Sequence, residues 1–383
     1  MLFVKFLIIS QLYKLPLMKL FRYVLNGFLV LSGAVLLAAG ILLGYLSFTD
    51  YQPAPVIPLK TSGLGVGIPH DVHNFSMLSW NVGYCGLGKE SDFFYDGGKE
   101  VRAGFDAYQK YLNGVLSTLT RMDTLDFVLL QEVDNDSKRS YYTNQQDIFS
   151  KEFKDFNTSF ATNYDVKYIP FPFMSPMSKV LAGQLSMSRF KPVEASRIAA
   201  PSNFSWPKRL FFLDRCFLLT RYPVAKDTSL VVINLHNSAW AEGSYLRKDE
   251  MELLKATVLQ EYRKGNYVVV GGDWNQNPPD FNPTAYDEGD KVWIMPPPLE
   301  KNFFPEGWHW AYDAKCPSNR DVSTAYLKGK TLTTVIDFFL LSPNVQLNEI
   351  RTLNKGFENS DHNPVFLSFT LGNEIPAAPE ELR

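Results

Sequence analysis

Several short apolar runs in this chain are uninterrupted, and each closes on a polar residue able to meet a metal or a phosphate. Asp126-Phe-Val-Leu-Leu-Gln131 and Tyr267-Val-Val-Val-Gly271 show no alternation of apolar and polar positions. Strands built from them are therefore buried on both faces. A sheet covered on both sides needs one layer above it and another below. Further strands are predicted over 75–81, 210–220, 229–235, 334–341 and 363–370. Helical spacing of Phe105, Tyr108, Leu112, Val115, Leu116 and Leu119 predicts a helix within Val101–Met122. A charged amphipathic helix is predicted over Glu242–Lys264, stopped by Gly265 and Asn266. Strands outnumber helices and the two are interleaved, which predicts an α/β (α+β) fold of two packed sheets flanked by helices.

One segment does not belong to that pattern. Val24–Phe48 contains no charged residue and one strongly polar one, Asn26. As a helix it rises about 37 Å, enough to cross a hydrocarbon core of about 30 Å. Lys5, Lys14, Lys19 and Arg22 precede it, whereas Thr49, Asp50 and the proline-bearing Tyr51–Pro58 follow. The positive-inside rule then puts the N-terminus in the cytoplasm and the rest outside a cytoplasmic membrane crossed once. A cleaved signal peptide is the rival reading, with an unusually long apolar region. Met18 is a second candidate start, since Met18–Arg22 is a compact basic lead-in. The expected organisation is a basic segment 1–23, a transmembrane anchor 24–48, a linker 49–73, a main domain 74–372 and a tail 373–383.

Composition removes some functions. A net charge of −2 gives no basic footprint for tight, sequence-independent DNA binding. Cys85, Cys216 and Cys316 are far apart and odd in number, without metal-ligand spacing, and read as small buried apolar residues.

The chemistry gathers at the strand ends, where a rigid scaffold presents functional groups. Asn81 ends the first strand and Gln131-Glu132 the second. Asn234 and His236 close a third, and Asp273 and Asn275 follow a fourth. Asp337 sits inside an apolar run, where a charge needs a buried partner, and His362 in Ser360-Asp361-His362 is a candidate for it. Singly, each has a plainer reading as a turn residue or a solvent-facing strand end. Together they are six ordered segments with one kind of chemistry.

Those segments, Ser79-Trp-Asn81, Leu130-Gln-Glu132, Asn234-Leu-His236, Gly272-Asp-Trp-Asn275, Ile336-Asp337 and Ser360-Asp-His362, resemble the endonuclease/exonuclease/phosphatase superfamily in order and placement. The resemblance implies a four-layered α/β sandwich of two mostly antiparallel sheets. It also implies a divalent cation, usually Mg²⁺, with Mn²⁺ as the other candidate. Carried over residue by residue, Glu132 is the principal metal ligand, supported by Asn81. Asp361 is a further metal or phosphate contact. Asp273 is similar to the residue that orients or deprotonates the attacking water, and Asn275 to the one that positions it or the phosphate. His236 is similar to a phosphate-oxygen donor, and Asp337 to the carboxylate that orients His362. Leu235 stands where the family often has Thr, and Trp274 where Phe is common; neither removes a catalytic atom.

The implied activity is metal-dependent hydrolysis of a phosphoester in a lipid headgroup, a nucleic acid or a small molecule, with no obligate protein partner. A catalytically silent, membrane-anchored binding module of the same fold is the alternative. The glycine-rich loop 83–98 is the least legible part. Glu90, Asp92 and Asp96 are candidate extra acidic ligands there, and its aromatics are candidates to face substrate. Arg189 and Arg215 are candidate phosphate contacts that read more simply as salt-bridged or exposed. Trp308-His309-Trp310 reads as packing, and Pro296-Pro297-Pro298 as a rigid connector.

Overall fold

The computed structural model describes residues 2–239, 244–282 and 298–372, with side chains from Lys19 onward. Pro296, Pro297 and the tail 373–383 lie outside the described residues, as does the start of the helix predicted from Glu242. The chain divides into two compact units, Met1–Asp50 and Tyr51–Arg383.

The first unit is helix α1 (Leu2–Phe48). Its part from Lys19 to Phe48 is long and apolar enough to cross a membrane, a property shared with signal sequences near an N-terminus. Apolar side chains such as Phe28, Val30, Leu36 and Ile41 stand exposed around it. It therefore lacks the single apolar stripe of a helix built to pack on a globular core.

In the second unit two seven-stranded sheets face each other. One runs β15 (Val345–Thr352), β16 (Val365–Leu371), β3 (Asn74–Asn81), β4 (Phe127–Asp134), β6 (Ser178–Ser188), β5 (Asn157–Ile169), β2 (Thr61–Ser62). The other runs β11 (His309–Ala311), β14 (Asp337–Leu341), β10 (Tyr267–Asp273), β9 (Thr228–His236), β8 (Cys216–Ala225), β7 (Glu194–Ala199), β1 (Val56–Pro58). A small pair, β12 (Asn319–Arg320) with β13 (Thr333–Thr334), stands apart. Within each large sheet every pairing is antiparallel except one central parallel pair, β3–β4 in the first and β9–β10 in the second. The two sheets are thus built to the same plan.

Alternate residues of the central strands divide between two cores. Phe75 and Met77 of β3 and Val269 of β10 point between the sheets, where Phe127, Leu129, Val232, Phe339 and Leu367 meet them. Their neighbours point outward: Leu78 and Trp80 pack under α2 (Phe105–Thr120) through Tyr108, Leu112 and Val115. Val268 and Val270 pack under α4 (Ser244–Arg263) through Met251, Leu254 and Val258. Helix, sheet, sheet, helix is the order of layers, which explains why the central strands read as continuous apolar runs. A shorter helix, α3 (Gln145–Glu152), begins at Asn144, whose side chain accepts the Asp147 N–H.

Three boundaries differ from those expected, one being the strand predicted over 334–341, which begins only at Asp337 while Thr334 pairs in β13. The strand predicted over 210–220 begins only at Cys216 and continues to Ala225. Lys208–Phe211 is a single 3-10 turn, so the apolar look of Leu210-Phe-Phe-Leu213 reflects packing rather than strand structure. The expected linker 49–73 is not a linker throughout, because β1 and β2 within it pair with β7 and β5 and extend both sheets. The cysteines are all free, with Cys85 and Cys216 buried.

Candidate active site

Parallel pairing brings the functional residues together. β3 and β4 run the same way, so Asn81 ends opposite Gln131 at one edge of the first sheet. β9 and β10 do the same in the second, where Asp273 ends opposite His236. β14 runs against β10 and therefore starts at this edge, placing Asp337 opposite Asp273. β16 runs against β3, so Asp361 and His362, just before it, arrive at the same place. Beneath them a polar tie joins the sheets: Gln131 Nε2 donates to Asn234 Oδ1 at 2.8 Å, and Asn234 Nδ2 donates to the Leu130 carbonyl at 3.1 Å. Asn234 is a structural clamp, not a group of the cleft.

Glu132 reaches the cleft through a backbone irregularity. The register of β4 on β6 shifts between Leu130 and Val133, and Glu132 takes φ 55. A bulge of this kind re-aims one side chain without ending the strand. On the chain that follows Asn81, Gly83 takes φ 49, and a Cβ there would come 2.7 Å from Asp361 Oδ1. Both the conformation and the lack of space call for glycine.

The two histidines are in opposite states. His362 Nδ1 donates to Asp337 Oδ2 at 2.8 Å, and its Nε2 lies 3.8 Å from Asp273 Oδ2 and 3.9 Å from Asp361 Oδ2. Burial opposes its charge, but Asp337 and Asp361 outweigh that and hold the imidazole up to about 10. Asn319 meets Nε2 at 3.0 Å. The atom there is Asn319 Nδ2, so a protonated Nε2 requires the Asn319 amide to turn its oxygen inward. His236 has no carboxylate as close. Its Nε2 is 3.6 Å from Asp273 Oδ2 and its Nδ1 has no partner. Burial first, then the Arg215 guanidinium, hold it well below the usual histidine value, so it is neutral.

Asp273 stands between them. Its Oδ1 accepts the Asn275 backbone N–H at 2.9 Å and its Oδ2 accepts Asn81 Nδ2 at 3.0 Å. Burial pushes its carboxyl above the ordinary range, with His362 pulling the other way. Asn275, at φ 50, anchors its own amide on the Asn237 carbonyl at 2.9 Å.

The donor set suits a hard cation. Four carboxylates, those of Glu132, Asp273, Asp337 and Asp361, gather near one imidazolium, an excess of negative charge that calls for a bound positive ion. All present oxygen, the preference of Mg²⁺ and Mn²⁺. Asp273, Asp337 and His362 offer ligand atoms within 4.8 Å of one another and form a possible metal cluster. Yet His362 Nδ1 and Asp337 Oδ2 are already spent on each other. The open carboxylates at the cleft are those of Glu132 and Asp361. Asn81 Nδ2 reaches Glu132 Oε1 at 3.3 Å, and Ser360 Oγ reaches Asp361 Oδ1 at 3.2 Å.

Seven of the eight residues singled out in the sequence line one cleft of about 510 Å³, the exception being Asp337, which stands behind His362. From the loop 83–98, Phe93, Tyr95 and Asp96 line it as well. Glu90 instead pairs with Lys110 at 2.8 Å, and Asp92 caps the backbone of Lys99 and Glu100. Arg215 lines the cleft, whereas Arg189 is spent on the Leu125 and Asp123 carbonyls. Trp308 packs on Tyr262 and Phe304, and Trp310 on Trp274.

Sequence reasoning passed over Asn319, Arg139 and Arg320, all of which line the cleft. Arg320 Nη2 donates to the carbonyls of Leu87, Gly88 and Ser91 and so ties down the loop. Arg139 is buried against Asp134 at 2.9 Å. The only sequence signal for Asn319 and Arg320 is a polar run, Ser318-Asn-Arg-Asp321, without periodicity.

Comparison with known proteins agrees with this architecture. The family model described as "Endonuclease/Exonuclease/phosphatase family" matches residues 78–362. Among solved structures, an endonuclease/exonuclease/phosphatase from Beutenbergia cavernae DSM 12333 is similar at 16% identity, TM-score 0.53, over 79% of this chain and 72% of that one. A family protein from Leptotrichia buccalis C-1013-b is similar at 14% identity, TM-score 0.49, over 78% and 100%. D. rerio TDP2 complexed with a single-strand DNA product is similar at 15% identity, TM-score 0.47, over 78% and 99%. No curated protein matches the sequence. With the matched span running from Leu78 to His362 and enclosing all eight residues, the chain belongs to the endonuclease/exonuclease/phosphatase family of metal-dependent phosphoester hydrolases.

Proposed function

We propose that this enzyme is a phosphodiesterase for lipid headgroups or nucleic acid, working outside the cytoplasmic membrane to which α1 anchors it. The observation that carries the chemistry is the placing of His362, backed by Asp337, across from Asp273 in one cleft with Glu132. Glu132, with Asn81 and Asp361 lining the same cleft, would hold a Mg²⁺ or Mn²⁺ ion. That ion, when bound, supplies positive charge to the phosphate and to the departing oxygen.

The residues do the rest. Asp273, fixed by the Asn275 N–H and the Asn81 amide, takes a proton from the attacking water as its oxygen bonds to phosphorus. Asn275 positions that water. His362 donates from Nε2 to a phosphate oxygen, and Asp337 keeps it charged and in one orientation. His236, neutral, offers a hydrogen bond to another phosphate oxygen. The bond to the leaving oxygen breaks on the far side, and the alkoxide takes its proton from solvent water. The basic residues Lys5, Lys14, Lys19 and Arg22 before the apolar segment support an external catalytic unit.

Assaying the full chain in detergent micelles tests this reading. Bis(p-nitrophenyl) phosphate, p-nitrophenyl phosphate, sphingomyelin and single-stranded DNA are compared with Mg²⁺, Mn²⁺ and EDTA. The expected result is diester turnover that EDTA abolishes and that Asp273→Asn and His362→Ala each remove. Turnover indifferent to EDTA or to both substitutions overturns it.

A further inference from the structure

Beside the reacting centre, the wall of the cleft holds a group of donors that the hydrolytic steps leave unused. Tyr84 is 1% exposed, lines the cleft, and its hydroxyl has no hydrogen-bond partner. Asn163 is 2% exposed, lines the cleft, and its Nδ2 has none either. Leaving a buried donor unmade is costly, so two in one wall call for an acceptor that arrives from outside. Asn163 is aimed there by construction: the register of β5 on β6 shifts between Thr162 and Tyr164, making Asn163 the bulged residue. The bulge that aims Glu132 on β4 faces β6 from its other side, and Gly183 is the β6 partner of both Thr162 and Val133.

Two guanidinium groups flank these donors. Arg139 lies over the Tyr84 ring at 4.0 Å, with Nε and Nη2 engaged by Asp134. Arg215 lies on the His236 side, where its Nη1 reaches the His236 carbonyl at 3.3 Å. Both charges act on the same two neighbours, Tyr164 and His236. The wall therefore offers uncommitted donors and the Arg215 charge, with the Arg139 charge shared with Asp134, while Glu132, Asp273, Asp337 and Asp361 gather at the metal end. The cleft, about 510 Å³, has room for one compact ligand.

Resting on the hydrolase reading, we propose that Tyr84, Asn163, Arg139 and Arg215 form a second anion subsite, and that the preferred substrates are compact phosphoesters carrying a further phosphate. The reacting phosphate sits among Glu132, Asp273 and His362, and the second one meets the wall. Charge-assisted bonds from guanidinium to phosphate are the strongest contacts such a wall can make.

Equilibrium binding tests the subsite separately from turnover. Full-length protein in detergent micelles with EDTA is titrated calorimetrically with two pairs of ligands. One pair is thymidine 5′-monophosphate and thymidine 3′,5′-bisphosphate; the other is glycerol 1-phosphate and glycerol 1,3-bisphosphate. In at least one pair the bisphosphate is expected to bind about 10-fold or more tightly than its monophosphate, the scale of one charge-assisted hydrogen bond. The pair showing the margin tells a nucleotide from a polyol headgroup. Tyr84→Phe removes only the unpartnered hydroxyl, and Arg215→Gln removes one charge; each is expected to shrink the margin at least 3-fold. Circular dichroism of both variants checks that they fold. No margin in either pair, or a margin that both folded variants keep, overturns the subsite. A margin without turnover of any diester would instead leave the subsite standing and remove the hydrolytic reading.

Discussion

β10 has a cluster of buried charge at each end, and the two are built in opposite ways. At its start Glu261 is 5% exposed and its two oxygens accept from Arg221 at 2.6 Å, Lys264 at 2.8 Å and Asn266 at 2.7 Å. Asn266 in turn accepts the Ser229 N–H at 2.9 Å. Burial works against the charge of Glu261, yet those donors outweigh it and pull the carboxyl down to about 2. At the other end carboxylates outnumber the cations that face them, Asp273 is pushed up, and Asp337 Oδ1 and His236 Nδ1 have no partner. A saturated cluster contributes to stability; an unsaturated one is held ready for a ligand. One strand thus carries a saturated cluster at one end and, at the other, the cluster to which the proposed chemistry is assigned.

The sharpest way to break the comparison is to exchange charge for amide at each end. Asp273→Asn and His362→Ala are each expected to lower diester kcat about 10³-fold, within the range of a positioned acid or base. Asp273→Asn should not lower the urea midpoint of the second unit's transition, whereas His362→Ala, which leaves Asp337 buried without its partner, should. A large fall in stability with Asp273→Asn would place it with Glu261 instead.

Asp337→Asn is a milder change, since His362 and its orientation remain. A loss of about 10²-fold in kcat is expected, comparable to removing one electrostatic contact to the transition state. The His362 imidazole, followed by NMR, should then titrate at lower pH than in the unaltered protein. An unchanged titration would mean that Asp337 does not hold the charge.

Glu261→Gln should do the reverse. Its pair with Arg221 is partly covered, with side chains 6% and 20% exposed, so a loss of about 2 kcal/mol lies between the values for surface and fully buried pairs. Diester kcat should stay within a factor of two. The smallest effect is the pH dependence of that penalty. Because the folded carboxyl is lowered to about 2, its contribution is whole above the unfolded carboxylate value and is lost as pH falls through about 2. Urea midpoints of the two proteins should therefore converge between pH 5 and pH 2. Constant separation across that range would assign the penalty to packing.

How far such contrasts can be read from sequence depends on whether they are local. β3, β4 and β10 are legible because burial on both faces removes polar residues from their middles. Their ends are legible because a polar residue then interrupts an apolar run, as Asn81, Glu132 and Asp273 do. β5 and β6 passed unread: they place Gln184, Ser186 and Ser188 in buried positions, where hydrogen bonding rather than apolarity fills the space. Arg320 holds the carbonyls of Leu87 and Gly88 more than 200 residues away in the chain, and no local pattern signals that contact. The bulges at Glu132 and Asn163 are likewise set by pairing with β6, which periodicity along a single strand does not reveal.

The claim that everything else rests on is that the unsaturated end of β10 binds a divalent ion through Glu132 and hydrolyses a phosphoester with it. Titrating Mg²⁺ into EDTA-treated full-length protein, and following bis(p-nitrophenyl) phosphate beside a Glu132→Gln variant, tests it most directly. No turnover without metal, saturable recovery with it, and a half-saturating concentration raised about 10- to 100-fold in the variant are expected. Equal turnover with and without metal, or the same metal dependence in both proteins, would contradict it.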